Sequence, residues 1–213
     1  MHALIRPATE HPVQEINTTT DTRDYLAKSR QDAERKGYAD WLIVDVDAHH
    51  VETVSWPEVT SFIEDPVVRD QAKMYHSERI GAPPYGLNGD LGLRYQDVGG
   101  RIPHQSSQRE KVTETDVHRD VVLTRRAMHG LGVDYMVIFP TPMLFLGMHP
   151  QTEMEVFLSR AYNRWLTEKV LPGDPGMVTL VVLPFNTPVE ALKMVEEFAD
   201  TPGVIGYLSL IHI

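Results

Sequence analysis

Four side chains that can bind a metal ion or carry a proton follow a short apolar run near the start of the chain. The segment WLIVDVDAHHVE, residues 41–52, contains Asp45, Asp47, His49 and His50. In extended backbone, residues two apart point the same way, so Asp45, Asp47 and His49 form one row and His50 belongs to the other. Zinc accepts carboxylate oxygen and imidazole nitrogen at about 2.0–2.2 Å. The segment therefore predicts Asp47 and His49 as metal ligands, with Asp45 and His50 supporting them through hydrogen bonds.

The same residues have an interpretation that involves no metal. An Asp at a strand end can accept hydrogen bonds from the following turn, and a neighbouring His can bond to backbone alone. A non-metal α/β binding module is therefore one alternative, and it predicts that the purified protein holds no metal.

The rest of the chain supplies the elements that position these residues. Apolar runs that predict strands alternate with segments in which apolar residues recur at helical spacing. Such alternation specifies a parallel sheet with right-handed crossovers, in which functional groups gather beyond the carboxyl ends of the strands. The first run is almost continuously apolar, which is typical of a strand covered on both faces. Strands are predicted at 41–47, 134–140, 177–184 and 203–210, and helices at 21–37, 115–132, 152–170 and 187–198.

Two of these helices carry further signals. Thr152 with Glu155, and Thr187 with Glu190, have the spacing of a capping box, in which hydroxyl and carboxylate bond to free backbone N–H groups. The apolar faces that helical spacing predicts are Met154, Phe157, Leu158, Ala161 and Trp165 in the first helix, and Val189, Leu192, Val195 and Phe198 in the second.

Candidate substrate contacts follow the first two strands. Residues 52–115, rich in Pro and Gly, predict a long insertion over the carboxyl edge of the sheet, where Arg94 and His104 can meet a substrate carboxylate. A solvated surface loop is the alternative for this segment. Phe139 lies at the end of the second strand and His149 in the loop that follows it. Both are therefore predicted to lie at the carboxyl edge of the sheet, beside a substrate pocket.

Composition restricts the partners of the chain. Its 213 residues carry a formal net charge of -10, which disfavours nucleic acid and anionic membrane surfaces. No apolar run approaches the roughly 20 residues of a membrane span, and the first residues lack a signal-peptide pattern. The absence of Cys excludes thiolate ligands and fits a reducing compartment. We therefore expect a cytoplasmic protein with a small-molecule substrate, and with no nucleic-acid or membrane partner.

Several segments together resemble one enzyme family. IVDVDAHHVE, GVDYMVIFPTP, LSRAYNRWL and VVLPFNTPVEALKMVEEF before GVIGYLSL are similar to the amidohydrolase-related metalloenzymes, which include amino-carboxymuconate-semialdehyde, resorcylate and carboxyvanillate decarboxylases. The resemblance runs from about residue 41 to about residue 210. In that family a first-strand motif of His, Glu or Asp, then any residue, then His provides two metal ligands. These ligands fall here on Asp47 and His49.

The resemblance implies a (β/α)8 barrel of the TIM type. The chain carries the first four strands, an N-terminal arm with a polar helix at 1–40 and the insertion at 52–115. Such barrels typically need about 250 residues, and the family's third and fourth ligands follow strands five and eight. We therefore expect the chain to represent the N-terminal half of an enzyme. Its open strand edges predict a homo-oligomer unless another partner covers them.

The resemblance also implies a reaction. In the family, zinc or manganese orients a small aromatic or unsaturated carboxylic acid for nonoxidative decarboxylation. Other relatives use a metal-activated water to hydrolyse an amide, ester or lactone, so a hydrolase is an alternative. A further alternative is a half barrel without catalysis, either inactive or complemented by a partner.

Overall fold

The computed structural model of the chain describes residues 23–50, 52–74 and 112–209. Within these ranges, helices and strands alternate after a first helix that packs against the helix at Arg119–Leu131. No helix of this part of the chain is long and apolar enough to cross a lipid bilayer. The elements are α1 (Arg23–Arg35), β1 (Val44–His49), α2 (Trp56–Ser61), α3 (Pro66–Met74), α4 (Arg119–Leu131), β2 (Tyr135–Phe139), α5 (Thr152–Trp165), β3 (Met177–Val182), α6 (Pro188–Phe198) and β4 (Val204–Leu208).

The four strands form one parallel sheet in the order β1-β2-β3-β4. Neighbours in the sheet are also neighbours in sequence, and each connection contains at least one helix. Helix α4 contacts β2, and α5 and α6 both contact β3. The predicted parallel α/β sheet is confirmed, and its arrangement is compatible with part of an α/β barrel.

Strand β1 lies at one edge of this sheet and differs from its prediction. It spans Val44–His49, so it begins and ends later than expected. Val44 and Val46 are exposed, as are Trp41 and Leu42 before them. The expectation of a strand covered on both faces is wrong here, because these apolar side chains remain exposed. Within the described sheet β1 is also an edge strand, with β2 as its one neighbour. The result is an open edge that carries apolar side chains.

The segment predicted as a long insertion, 52–115, is helical in its first part. Trp56, Val59 and Ile63 recur at helical spacing and are almost completely buried. The Trp56 indole N–H donates to the Ala72 carbonyl oxygen at 3.0 Å, which ties α2 to α3. This first part therefore belongs to the main hydrophobic core, where α2 packs against α5.

The buried faces of α5 and α6 differ in how well helical spacing predicts them. In α6, Val189 and Leu192 are 71% and 58% exposed, so their predicted burial is wrong. Phe198 is buried as predicted, whereas Met194 is buried without having been predicted, and both pack with β3. The helix is therefore rotated so that Met194, outside the predicted stripe, faces the sheet. The residues of α5 that are buried as predicted are Met154, Leu158, Ala161 and Trp165.

Neither predicted capping box forms. Helix α5 begins at Thr152, and Gln151 occupies the N-cap without a side-chain bond. Glu155 accepts the backbone N–H of Phe185 at 2.6 Å, in the loop after β3. Thr187 is the N-cap of α6, but its hydroxyl makes no capping bond. The tertiary fold thus uses Glu155 to hold a neighbouring loop instead of its own helix end.

Two leucines provide a matched test of this packing. Leu158 in α5 is fully buried, whereas Leu192 in α6 is 58% exposed. We expect Leu158→Ala to lower the free energy of unfolding by about 2–5 kcal/mol, because it removes buried apolar groups and leaves a cavity. Leu192→Ala should change it by less than about 0.5 kcal/mol. Urea unfolding followed by circular dichroism measures both values, and equal losses would contradict the exposed position of Leu192.

Candidate functional site

Asp47 and His49 meet at the carboxyl end of β1. Asp47 Oδ1 lies 3.1 Å from His49 Nε2, and the Asp47 side chain is 83% exposed. His49 is opposite Phe139 in the β1–β2 register, and the two rings are 5.8 Å apart. The structure therefore brings the two predicted ligands together at a solvent-accessible strand end.

The other ring nitrogen of His49 contacts a backbone carbonyl. His49 Nδ1 lies 3.0 Å from the Pro140 carbonyl oxygen. A carbonyl oxygen can only accept, so Nδ1 carries a proton and donates it. Nε2 then either donates a second proton to Asp47 Oδ1 or turns its lone pair toward that carboxylate. Lone pair and carboxylate repel each other unless a proton or a metal cation lies between them. Metal-bound histidines commonly donate their second N–H to a carbonyl in this way.

These donors fit a divalent metal. Two ligand atoms on one tetrahedral zinc, each bound at about 2.0–2.1 Å, lie roughly 3.3 Å apart. The Asp47–His49 separation of 3.1 Å is close to that distance, and it is equally an ordinary hydrogen-bond distance. Within the described ranges no group of three or more His, Asp or Glu side chains converges, so the pair supplies two donors there.

Asp45 supports Asp47 through the backbone. Its Oδ1 accepts the Asp47 backbone N–H at 3.0 Å. The β1–β2 register shifts between Asp45 and Ala48, so simple alternation does not hold across the strand. The expected alternation is therefore interrupted between Asp45 and Ala48, although Asp47 and His49 still meet.

His50 points away from the pair, as its place in the sequence predicts. It is buried, and its Nε2 lies 2.8 Å from the Tyr162 hydroxyl. Its ring stacks on Trp165 with 5.8 Å between centroids and 5° between planes. Its Nδ1 lies 3.6 Å from Asp120 Oδ2, which is longer than a hydrogen bond. His50 thus connects the end of β1 to α4 and α5, on the face of the sheet that these helices cover.

The electrostatics of this buried cluster favour a charged Asp120 and a protonated Tyr162. Burial alone raises the pKa of Asp120, but the proximity and charge of His50, aided by His118 and Arg119, bring the pKa below its ordinary value. Burial raises the pKa of Tyr162 well above its ordinary value, and the nearby carboxylates add to this effect. The Tyr162 hydroxyl therefore keeps its proton and can donate to His50.

Glu52 is a further buried acid near the site, which sequence reasoning missed. Its carboxylate accepts the backbone N–H groups of Thr141 at 2.9 Å and of Met143 at 2.6 Å. Burial raises its pKa, and the charge of His50 with these N–H bonds opposes that rise without cancelling it. Its position three residues after His49 gives only a weak indication of burial. An exposed acid in a polar turn has the same local sequence pattern.

The predicted substrate contacts have different outcomes. Phe139 lies beside His49, as described above. His149 is buried, and its Nδ1 accepts the Gln151 backbone N–H at 3.1 Å. Arg94 and His104 lie outside the described residues.

Comparison of the chain with protein-family models and with curated proteins finds no match.

The environment of His149 predicts a pH dependence of stability. Burial lowers the pKa of His149, and the Gln151 backbone and the Glu155 charge oppose this only in part. Below about pH 6.5 the unfolded chain therefore binds a proton that the folded state resists, so the free energy of unfolding falls as the pH falls. In His149→Gln this fall should be smaller. Urea unfolding at several pH values between 5 and 8 tests it, and identical slopes in both proteins would contradict the assignment.

Proposed function

We propose that the chain belongs to a metal-dependent enzyme of the amidohydrolase type that binds zinc or manganese through Asp47 and His49. The observation that carries the proposal is the orientation of His49. Its Nδ1 is 3.0 Å from the Pro140 carbonyl oxygen while its Nε2 is 3.1 Å from Asp47 Oδ1. With Nδ1–H bonded to the carbonyl, a neutral His49 ring directs its Nε2 lone pair and the Asp47 carboxylate at one point, as a cation site requires.

The proposed reaction is nonoxidative decarboxylation of a small aromatic or unsaturated carboxylic acid. The choice of reaction follows the sequence resemblance given above and is an argument by analogy. A bound divalent cation would supply positive charge to orient the substrate's oxygen atoms and stabilise charge that develops on them. The chain's own residues hold that charge in place: Asp47 and His49 as ligands, with Asp45 fixing the Asp47 backbone. Phe139, beside His49, offers an apolar surface to the ring or diene of the substrate.

The order of the strands and the open edges of the sheet support the rest of the proposal. Sequential parallel strands with helices between them are the arrangement of a (β/α)8 barrel. Val46 on β1 is 68% exposed, and Ile205 and Tyr207 on β4 are 58% and 37% exposed. We propose that these apolar edges are covered by self-association, because an open strand edge with apolar side chains readily pairs with another chain.

Removal of the two ligands tests the metal site. We expect Asp47→Ala and His49→Ala, alone or together, to weaken zinc or manganese binding by at least about 100-fold, since each removes one donor of a two-donor site. Isothermal titration calorimetry measures the affinity, and elemental analysis measures the metal that the purified protein retains.

A matched control for this test is the double variant Asp40→Ala plus His129→Ala. It also removes one carboxylate and one imidazole, both exposed and both outside β1. Its metal affinity should equal that of the unaltered chain. If the Asp47 and His49 variants bind metal as well as this control, the metal site is wrong and the strand end serves as a capped turn.

The reaction class requires a separate measurement. The metal-loaded chain is incubated with hydroxylated benzoic acids and unsaturated dicarboxylic acids, and released carbon dioxide is measured. We expect release that requires added metal and disappears in Asp47→Ala. Hydrolysis of ester, lactone or amide substrates without carbon dioxide release would favour the hydrolase instead. Bound metal with neither reaction would favour a half barrel without catalysis.

A further inference from the structure

Glu52 is a fully buried acid that takes no part in the proposed pair of ligands. Its side chain has 0% exposure, and it follows β1 in the chain. A buried carboxylate is costly unless hydrogen bonds compensate for the lost water. Both of its oxygens are compensated, Oε2 by the Thr141 N–H at 2.9 Å and Oε1 by the Met143 N–H at 2.6 Å.

The Thr141 N–H belongs to the same peptide group as the Pro140 carbonyl. That carbonyl oxygen is the acceptor for His49 Nδ1 at 3.0 Å. Because a peptide group is planar and rigid, fixing the direction of its N–H also fixes the direction of its C=O. A carboxylate on the N–H further polarises the carbonyl and strengthens it as an acceptor. Glu52 therefore acts on His49 through one peptide group.

We propose that Glu52 is a positioning residue that holds His49 with its proton on Nδ1, so that Nε2 is free to bind the metal. The effect on metal binding rests on the proposed function. The effect on which His49 nitrogen carries the proton can be measured in metal-free protein. Glu52 itself touches neither ligand and is not a catalytic residue.

The loop after β2 has attachments that do not depend on Glu52. The Thr141 hydroxyl donates to the His50 carbonyl oxygen at 2.6 Å, and the His50 N–H donates to the Phe139 carbonyl oxygen at 3.0 Å. These bonds keep the loop beside β1 when the carboxylate is altered. The expected effect of a Glu52 variant is therefore a change in the orientation of one peptide group, with the strand pairing retained.

Glu155 provides a closely matched control. It is 1% exposed, and its carboxylate holds the loop after β3 through the Phe185 N–H at 2.6 Å and the Asn186 side-chain amide at 3.0 Å. Glu155→Gln and Glu52→Gln are thus the same substitution at two buried acids that each hold a loop. Only Glu52 is connected through a peptide group to His49.

The first measurement is the protonation of His49 in metal-free protein, by long-range ¹H–¹⁵N correlation spectra of the imidazole rings. We expect Nδ1–H in the unaltered chain and in Glu155→Gln, and a substantial population of Nε2–H in Glu52→Gln. Calorimetry with zinc should then show about 10- to 100-fold weaker binding for Glu52→Gln and less than about twofold change for Glu155→Gln. Urea unfolding of both variants separates these effects from general loss of stability.

The outcomes are distinguishable. An unchanged His49 tautomer and zinc affinity in a folded Glu52→Gln would overturn the positioning role and leave the proposed metal site intact. A changed tautomer without zinc binding by any variant would support the positioning role and reject the proposed function. If Glu52→Gln does not fold, the unaltered chain still decides, because Nε2–H on His49 in the metal-free protein contradicts the inference.

Discussion

The contact between the carboxyl ends of β1 and β2 holds the candidate site together. Along this contact the backbone ladder continues one residue past β1, with the His50 N–H bonded to the carbonyl oxygen of Phe139, the last residue of β2. Side-chain bonds then join the same two segments through His49 to Pro140 and through Thr141 to His50. Parallel pairing brings strand ends to one edge, and these bonds determine which atoms face each other there.

Several buried polar groups lie between the end of β1 and helices α4 and α5. Their contacts fix the position of the residue that follows β1. His50 meets Tyr162 and stacks on Trp165, while Asp120 lies close by on α4. Buried polar and charged groups are tolerated when partners compensate for lost hydration. The cluster therefore connects β1 to α4 and α5. Because His50 faces these helices, His49, the residue before it, projects to the opposite face of the sheet.

Buried glutamates hold two successive loops in the same manner. Glu52 accepts backbone N–H groups at the start of the loop after β2, and Glu155 accepts those after β3. In both loops a carboxylate replaces the water that would solvate free N–H groups at the strand end. The first loop contains the Pro140 carbonyl oxygen that accepts from His49, so its conformation affects the orientation of a proposed metal ligand. The second loop connects α5 to the end of β3.

The sequence by itself determined the parallel α/β sheet, the buried face of α5 and the meeting of Asp47 with His49. These features depend on local periodicity and on residues two apart, which follow from backbone geometry. Tertiary structure decided the bulge in β1, the rotation of α6 that exposes Val189 and Leu192, and the use of Glu155 outside its own helix end. It also decided that Glu52 reaches Thr141, 89 residues away in sequence. Such contacts have no signal in the local sequence. A buried carboxylate bonds to a backbone N–H that has no other partner, and only the pairing of distant strands brings that N–H close to it.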